Sequence, residues 1–190
     1  MFLAVAAIGA LAWATRANAS INQDAAAPAP ADTPSAGFAD NLLSALGVEA
    51  KKIINWQPPA TAAPYLEQIA AAEQAHGLPQ GLLVRQLYQE SRFRPDIITG
   101  ATKSPVGALG IAQFMPGTAH DLGVDPLNPA DAIDGAARYM KGLFASLGSW
   151  PEALAAYNWG IGNVRRKGID AAPLETQNYV DQIVADVATL

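Results

Sequence analysis

The stretch VRQLYQESRFRP, residues 84 to 95, predicts the end of an amphipathic helix with a carboxylate on its apolar face. At 3.6 residues per turn, Leu83, Leu87 and Glu90 lie on one face of that helix. Pro95 ends the pattern and disfavours helical geometry at Arg94. A carboxyl that is half-buried among apolar groups has a raised pKa, so Glu90 is a candidate general acid.

Glu90 has a plainer alternative, because most glutamates are solvated. It could be the exposed end of the helix, paired with Arg92 or Arg94. The glycine-rich segment TGATKSPVGALG at 99 to 110 follows, which places the helix end beside an open segment rather than another packed helix. That setting favours a functional carboxylate.

Helical signals continue on both sides of this stretch. One helix is predicted to begin near Pro64 and to end at His76, capped by Gly77, and the helix that carries Glu90 is predicted to run from Pro79 towards Arg94. Further helices are expected from Asn128-Pro129 to Gly148, from the capping box SWPE at 149 to 152, and over 175 to 190, where Tyr179, Ile183 and Val187 share a face. No long stretch alternates with period two. The predicted fold is therefore all-α, with room for minor β structure, and the catalytic domain is expected over residues 61 to 190.

Composition excludes several functional classes. The chain has 190 residues, 51% of them hydrophobic, and a net charge of -5 without a basic, aromatic-rich patch, so nucleic acid is not an expected partner. It has no cysteine, and His76 and His120 lie far apart in the sequence. A structural zinc site or a serine-histidine triad is thus improbable, and no metal or cofactor is expected.

The first 60 residues suggest export and tethering. Residues 2 to 14 are an apolar run, and Ala17-Asn18-Ala19 follows as a small-x-small cleavage signal, although no Lys or Arg precedes the run. Residues 1 to 19 are therefore interpreted as a signal peptide or a retained membrane segment in contact with the bilayer, with a buried helix as a further alternative. Residues 20 to 60 are predicted to form an Ala/Pro-rich tether with a short amphipathic helix at 38 to 48.

Five ordered blocks carry a family resemblance. They are ESRFRP at 90 to 95, SPVGALGIAQFMPGTAHDLG at 104 to 123, NPADAIDGAARYM at 128 to 140, ALAAYNWG at 153 to 160 and ETQNYV at 175 to 180. In this order they resemble the motifs of the soluble lytic transglycosylase catalytic domain, whose fold is shared with goose-type lysozymes. The resemblance covers about residues 62 to 190 and implies a lysozyme-like helical domain with a glycan cleft.

The resemblance also implies the site. Glu90 matches the single catalytic acid/base of the family. The residues that match groups near the glycan are Ser104, Gln113, Met115, Tyr157, Asn158, Glu175 and Tyr179. Met115 could instead fill the core, and Tyr179 could simply continue the apolar stripe of the last helix.

The implied reaction is cleavage of the MurNAc-GlcNAc β-1,4 bond of peptidoglycan with formation of a 1,6-anhydro sugar. Most glycosidases use two carboxylates, whereas only Glu90 has both the motif and the setting of a catalytic carboxylate in this sequence. A single carboxylate favours attack by a hydroxyl group of the substrate. A goose-type lysozyme-like muramidase and a non-catalytic wall-binding or assembly protein remain alternatives. The expected location is the periplasm or cell envelope, or else a phage virion, and a secretion-system role is equally open.

Overall fold

The computed structural model describes residues 56 to 187. The predicted signal or membrane segment at 1 to 19 and the short helix at 38 to 48 lie outside this range. Between residues 56 and 187, none of the helices has the length and apolar character needed to cross a bilayer.

The secondary structure of the described residues is almost wholly helical. Two 3-10 helices flank or join the others, at Ala60–Tyr65 and Ile169–Ala171. The α-helices are α1 (Leu66–His76), α2 (Leu82–Ser91), α3 (Pro95–Ile98), α4 (Pro116–Leu122), α5 (Pro129–Leu147), α6 (Trp150–Trp159), α7 (Ile161–Lys167) and α8 (Leu174–Asp186). Over residues 56 to 187 the only β structure is an isolated antiparallel bridge between Leu109 and Phe114. The all-α prediction is confirmed.

Local capping signals set three of the helix boundaries as predicted. Gly77 ends α1 in the left-handed conformation, with φ of 67°. Asn128 opens α5 because its side chain accepts hydrogen bonds from the backbone N–H groups of Ala130 and Asp131. Ser149 opens α6, where its hydroxyl oxygen accepts from the Glu152 N–H at 3.3 Å and its O–H donates to the Glu152 carboxylate at 2.9 Å.

The predicted limits of the helix that carries Glu90 were wrong at both ends. It begins at Leu82 rather than near Pro79 and ends at Ser91 rather than towards Arg94. Arg92 and Phe93 adopt positive φ angles of 53° and 50°, which end the helix before Pro95 can do so. Pro95 then occupies the first turn of α3, a position that suits its fixed φ angle.

The start of the first predicted helix also differs. Pro64 lies inside the 3-10 helix Ala60–Tyr65, and the α-helix begins only at Leu66. The shorter hydrogen-bonding period of a 3-10 turn is common ahead of an α-helix.

Helix α6 lies at the centre of the domain. All residues from 153 to 159 are buried, and α6 packs against α5, α7 and α8. A helix that is apolar on all sides belongs in a core. Helix α2 packs against α1 and α8. Glu90 lies in the last turn of α2 and is buried in the interior of the domain.

Glu73 of α1 holds the other end of α2. Its carboxylate, which is 5% exposed, accepts hydrogen bonds from the backbone N–H groups of Gly81, Leu83 and Val84. These are donors that the first turn of a helix cannot satisfy internally. Glu73 therefore fixes the start of the helix that carries the candidate acid.

Candidate active site

Glu90 is buried, with 7% of its surface exposed, while Leu83 and Leu87 on the same face are fully buried. Its Oε1 atom accepts a hydrogen bond of 2.7 Å from the Tyr179 hydroxyl. Burial raises the pKa of Glu90 from 4.5 to about 8, and the Tyr179 hydrogen bond opposes that rise. The alternative of an exposed helix end is wrong, and the carboxyl is mainly protonated at neutral pH.

Tyr179 is supplied by α8, in which it also continues the apolar stripe with Ile183, as the sequence allowed. Its pKa is raised well above the ordinary value, chiefly by burial and then by the nearby Glu90. The hydroxyl consequently stays protonated and acts as a donor to Glu90.

Tyr157 of α6 supports the same region. Its hydroxyl donates a 2.9 Å hydrogen bond to the backbone carbonyl of Ala112, and its ring contacts those of Phe114 and Tyr139. Burial, followed by the proximity of Glu90, raises its pKa well above the usual range. Tyr157 therefore connects the core helix to the segment that precedes α4.

A tight turn at 109 to 114 contains the predicted residue Gln113, and Met115 directly follows it. Gln113 has a φ of 48°, and its side-chain amide donates to the Gly110 carbonyl at 2.8 Å. Gly110 has a φ of 71°, and a Cβ atom there would lie 1.7 Å from the Pro126 carbonyl oxygen. Met115 follows the turn, half-buried, as the residue before α4. The turn can only be made with glycine at position 110.

Asn158 lies on α6, next to Tyr157, and Glu175 lies in the first turn of α8. The Asn158 Oδ1 atom accepts a 2.7 Å hydrogen bond from Thr176 Oγ1, and both side chains are buried. Glu175 is half-buried one turn before Tyr179 on α8. Sequence reasoning missed Thr176, although it lies inside the ETQNYV block beside two predicted residues.

Ser104 is less closely integrated than the other predicted residues. It is half-buried in the loop between α3 and α4, and its hydroxyl oxygen accepts from the Val106 N–H at 3.4 Å. Within residues 56 to 187, its hydrogen bonding stays inside its own turn.

Glu73 and Glu90 are the two buried carboxylates between residues 56 and 187. Glu73 is committed to the first turn of α2, whereas Glu90 lies in the last turn, about 10 Å further along the helix. In the described part of the chain, Glu90 is thus the single buried carboxyl at the candidate site, whereas Glu175 is half-buried. Such a site can donate one proton and later accept one.

The helical arrangement around this carboxyl is that of a lysozyme-like transglycosylase domain. It superimposes on the 70 kDa soluble lytic transglycosylase SLT70 of Escherichia coli with a TM-score of 0.55 and 27% sequence identity. The superposition covers 64% of this chain and 23% of SLT70.

Residues 67 to 180 match the sequence model of the family described as Transglycosylase SLT domain, and the chain belongs to this family. This confirms the resemblance seen in the five sequence blocks.

Two relatives show the range of proteins that carry this domain. The chain is 36% identical over 109 residues to the peptidoglycan transglycosylase gp16 of Escherichia phage T7, a match that covers 53% of this chain and 8% of that protein. It is 38% identical over 91 residues to the membrane-bound lytic murein transglycosylase F of Serratia proteamaculans, over 44% of this chain and 18% of that protein. In each comparison the chain spans less than a quarter of the length of its relative.

Proposed function

We propose that this chain is a peptidoglycan lytic transglycosylase in which Glu90 is the single acid/base. The observation that carries the proposal is the buried carboxyl of Glu90, whose pKa of about 8 keeps it protonated at neutral pH. Membership of the transglycosylase family and the names of the relatives support the same reaction class.

The first step would use the protonated form of Glu90. Its Oε1 atom is engaged by the Tyr179 hydroxyl, so the proton for donation stands on Oε2. Oε2 protonates the glycosidic oxygen between N-acetylmuramic acid and N-acetylglucosamine, and the bond to C1 breaks. The acetamido group of the substrate stabilises C1, and Tyr179 stabilises the new carboxylate.

The second step would use the carboxylate formed in the first. Glu90 removes the proton from the 6-hydroxyl of the muramic sugar, and that oxygen attacks C1 to give the 1,6-anhydro product. No water is consumed and Glu90 returns to its protonated form. The burial that disfavours the Glu90 carboxylate makes this proton return favourable.

The other predicted residues are proposed to shape the glycan cleft. Tyr157, Gln113 and Asn158 each form a hydrogen bond within the protein, which suits residues that hold the cleft walls in place. Ser104, Met115 and Glu175 are half-buried, which leaves part of each side chain available to a bound sugar.

We further propose that the protein acts at the cell envelope, the only place where its glycan substrate occurs. One relative is named as membrane-bound and another belongs to a phage. The envelope can be reached by export through residues 1 to 19 or by delivery in a virion. The N-terminal residue of the mature protein, determined by mass spectrometry, distinguishes cleavage after Ala19 from retention of the segment.

The test is a product analysis with purified peptidoglycan. Mass spectrometry is expected to find muropeptides with anhydro ends, each lighter by one water than a hydrolysis product. Glu90→Gln is expected to abolish the products while folding is retained, and Glu67→Gln, at an exposed glutamate of α1, is expected to behave as the wild type. Reducing ends would identify a lysozyme-type hydrolase, and no release by the wild-type protein would overturn the enzymatic proposal.

A further inference from the structure

Gln86 is a buried polar residue for which the proposed reaction has no role. It lies on α2 one turn before Glu90, and its side chain is fully buried. Between residues 56 and 187, neither of its two side-chain polar atoms has a hydrogen-bond partner within 3.5 Å at acceptable geometry. A buried amide without partners is costly, so its position calls for an explanation.

The Tyr179 hydroxyl is the group that Gln86 can serve. Tyr179 has one hydroxyl proton, which it donates to Glu90, so its oxygen still has lone pairs that can accept a hydrogen bond. The Gln86 amide acts on this hydroxyl as a donor and lowers the pKa of Tyr179, against the larger raising effects of burial and Glu90. The packing of α2 on α8 places Gln86 in the same contact. Around it on α2, Arg85, Gln89 and Glu90 form hydrogen bonds with Asp186, Gln182 and Tyr179 of α8, so Gln86 lies at the interface of these two helices.

We propose that Gln86 is a positioning residue: its Nε2–H group donates to the Tyr179 oxygen and thereby directs the Tyr179 proton towards Oε1 of Glu90. Because Oε1 of Glu90 then accepts the single Tyr179 proton, the acid proton of Glu90 is confined to Oε2. Gln86 would thus determine which of the two carboxyl oxygens of Glu90 carries the proton that is donated to the glycosidic oxygen. The inference rests on the proposed function of Glu90 as general acid.

The titratable and charged groups around this chain of hydrogen bonds come from α5, α6 and α8 as well as from α2. Tyr157 from α6 and Tyr179 from α8 are the titratable groups that interact with Glu90, and Tyr139 from α5 acts on Tyr157. Arg85, next to Gln86 on α2, forms an ion pair of 2.7 Å with Asp186 of α8. The hydrogen bond that Tyr179 donates stabilises the Glu90 carboxylate. This hydrogen bond is stronger when the Tyr179 oxygen itself accepts a hydrogen bond from another donor.

The test replaces Gln86 by methionine, which has similar length and no amide. Gln86→Met is expected to lower kcat about 3- to 10-fold with KM unchanged, as for the loss of one buried hydrogen bond that acts in the transition state. The alkaline limb of the pH profile is expected to move to higher pH, because a weaker Tyr179 donor stabilises the Glu90 carboxylate less. Gln89→Met is the matched control, since Gln89 is buried on the same helix but donates to Gln182.

A double-mutant cycle with Tyr179→Phe separates positioning from packing. If Gln86 acts through Tyr179, Gln86→Met has no further effect on kcat or on the pH profile in the Tyr179→Phe background. Additive effects, or an unmoved alkaline limb in Gln86→Met, would overturn the inference. If Gln86→Met fails to fold, Gln86→Asn withdraws the amide by one methylene and gives the same expectation.

Failure of this inference is distinguishable from failure of the proposed function. The proposed function fails if the wild-type protein releases no anhydro products or if Glu90→Gln retains activity. The role of Gln86 fails alone if the wild type is active, Glu90→Gln is inactive, and the pH profile of Gln86→Met matches that of the wild type.

Discussion

Glu90→Gln is expected to stabilise the protein in a strongly pH-dependent way. Glutamine has nearly the size of glutamic acid and keeps an oxygen that can accept the Tyr179 hydrogen bond. The substitution removes ionisation at a site where only 7% of the residue is exposed. The difference in stability between the two proteins therefore reports the cost of burying the Glu90 carboxylate.

The sign and size of this difference follow from the pKa of Glu90, which is about 8 in the folded protein and 4.5 in the unfolded chain. Below pH 4.5 the group is protonated in both states and the wild type bears no ionisation penalty. As the pH rises from 4.5 to about 8, the folded state binds more protons than the unfolded state, so the wild type loses stability relative to the variant. Each tenfold change in proton affinity is worth about 1.4 kcal/mol, which gives a total of about 5 kcal/mol.

Urea unfolding of both proteins from about pH 4.5 to about pH 9 measures the effect. The free energy of unfolding of Glu90→Gln minus that of the wild type is expected to rise through this range and to level off above about pH 8. All other titrating groups cancel in the difference, and Glu67→Gln provides an exposed control. A difference that stays constant across the range would refute the raised pKa of Glu90 and, with it, the reasoning for a protonated acid.

Two further substitutions test the support of the site. Gly110→Ala is expected to cost more than about 3 kcal/mol of unfolding free energy, because its Cβ would overlap the Pro126 carbonyl at 1.7 Å. Gly107 also has a positive φ, of 83°, but a Cβ atom there would meet open space, so Gly107→Ala should cost only the backbone strain of about 1 to 2 kcal/mol in the same urea experiment. Equal losses of unfolding free energy in the two variants would contradict the steric argument. Tyr157→Phe should cost about 1 to 3 kcal/mol and lower kcat, since it leaves the Ala112 carbonyl without its donor; unchanged stability and turnover would show that this bond does not hold the turn.

Features that depend on a few neighbouring residues were predictable from the sequence. The caps at Gly77, Asn128 and Ser149 follow from backbone conformation and from hydrogen bonds between residues two or three apart. The burial of Glu90 follows from its register with Leu83 and Leu87 on one helix. Such signals are local, so the primary sequence contains them in full.

The end of α2 could not be predicted in the same way. Arg92 and Phe93 are not glycines, and nothing in their identity favours positive φ angles. Phe93 is fully buried and stacks near Tyr65, from the segment ahead of α1, with ring centroids 6.2 Å apart. Tertiary packing of the ring therefore overrides both local preference and the stop signal of Pro95.

Partners across helices were beyond the reach of sequence patterns for a related reason. Tyr179 meets Glu90 across 89 positions in the chain, and Thr176 meets Asn158 across two helices. For Gln86, the sequence alone shows only that a polar residue lies one turn before Glu90. Which hydroxyl meets which carboxyl depends on how α2, α6 and α8 pack, and helical periodicity gives only the faces that pack.

The distance in sequence between Glu90 and Tyr179 has a consequence for the timing of activity. Burial keeps Glu90 protonated at neutral pH, and its hydroxyl partner belongs to α8, the last of the described helices. In a nascent or half-folded chain, Glu90 would be an ordinary solvated glutamate, ionised at neutral pH and unable to give up a proton. On the proposed function, the chain therefore becomes able to cleave the glycan only when α8 has packed against α2 and completed the site.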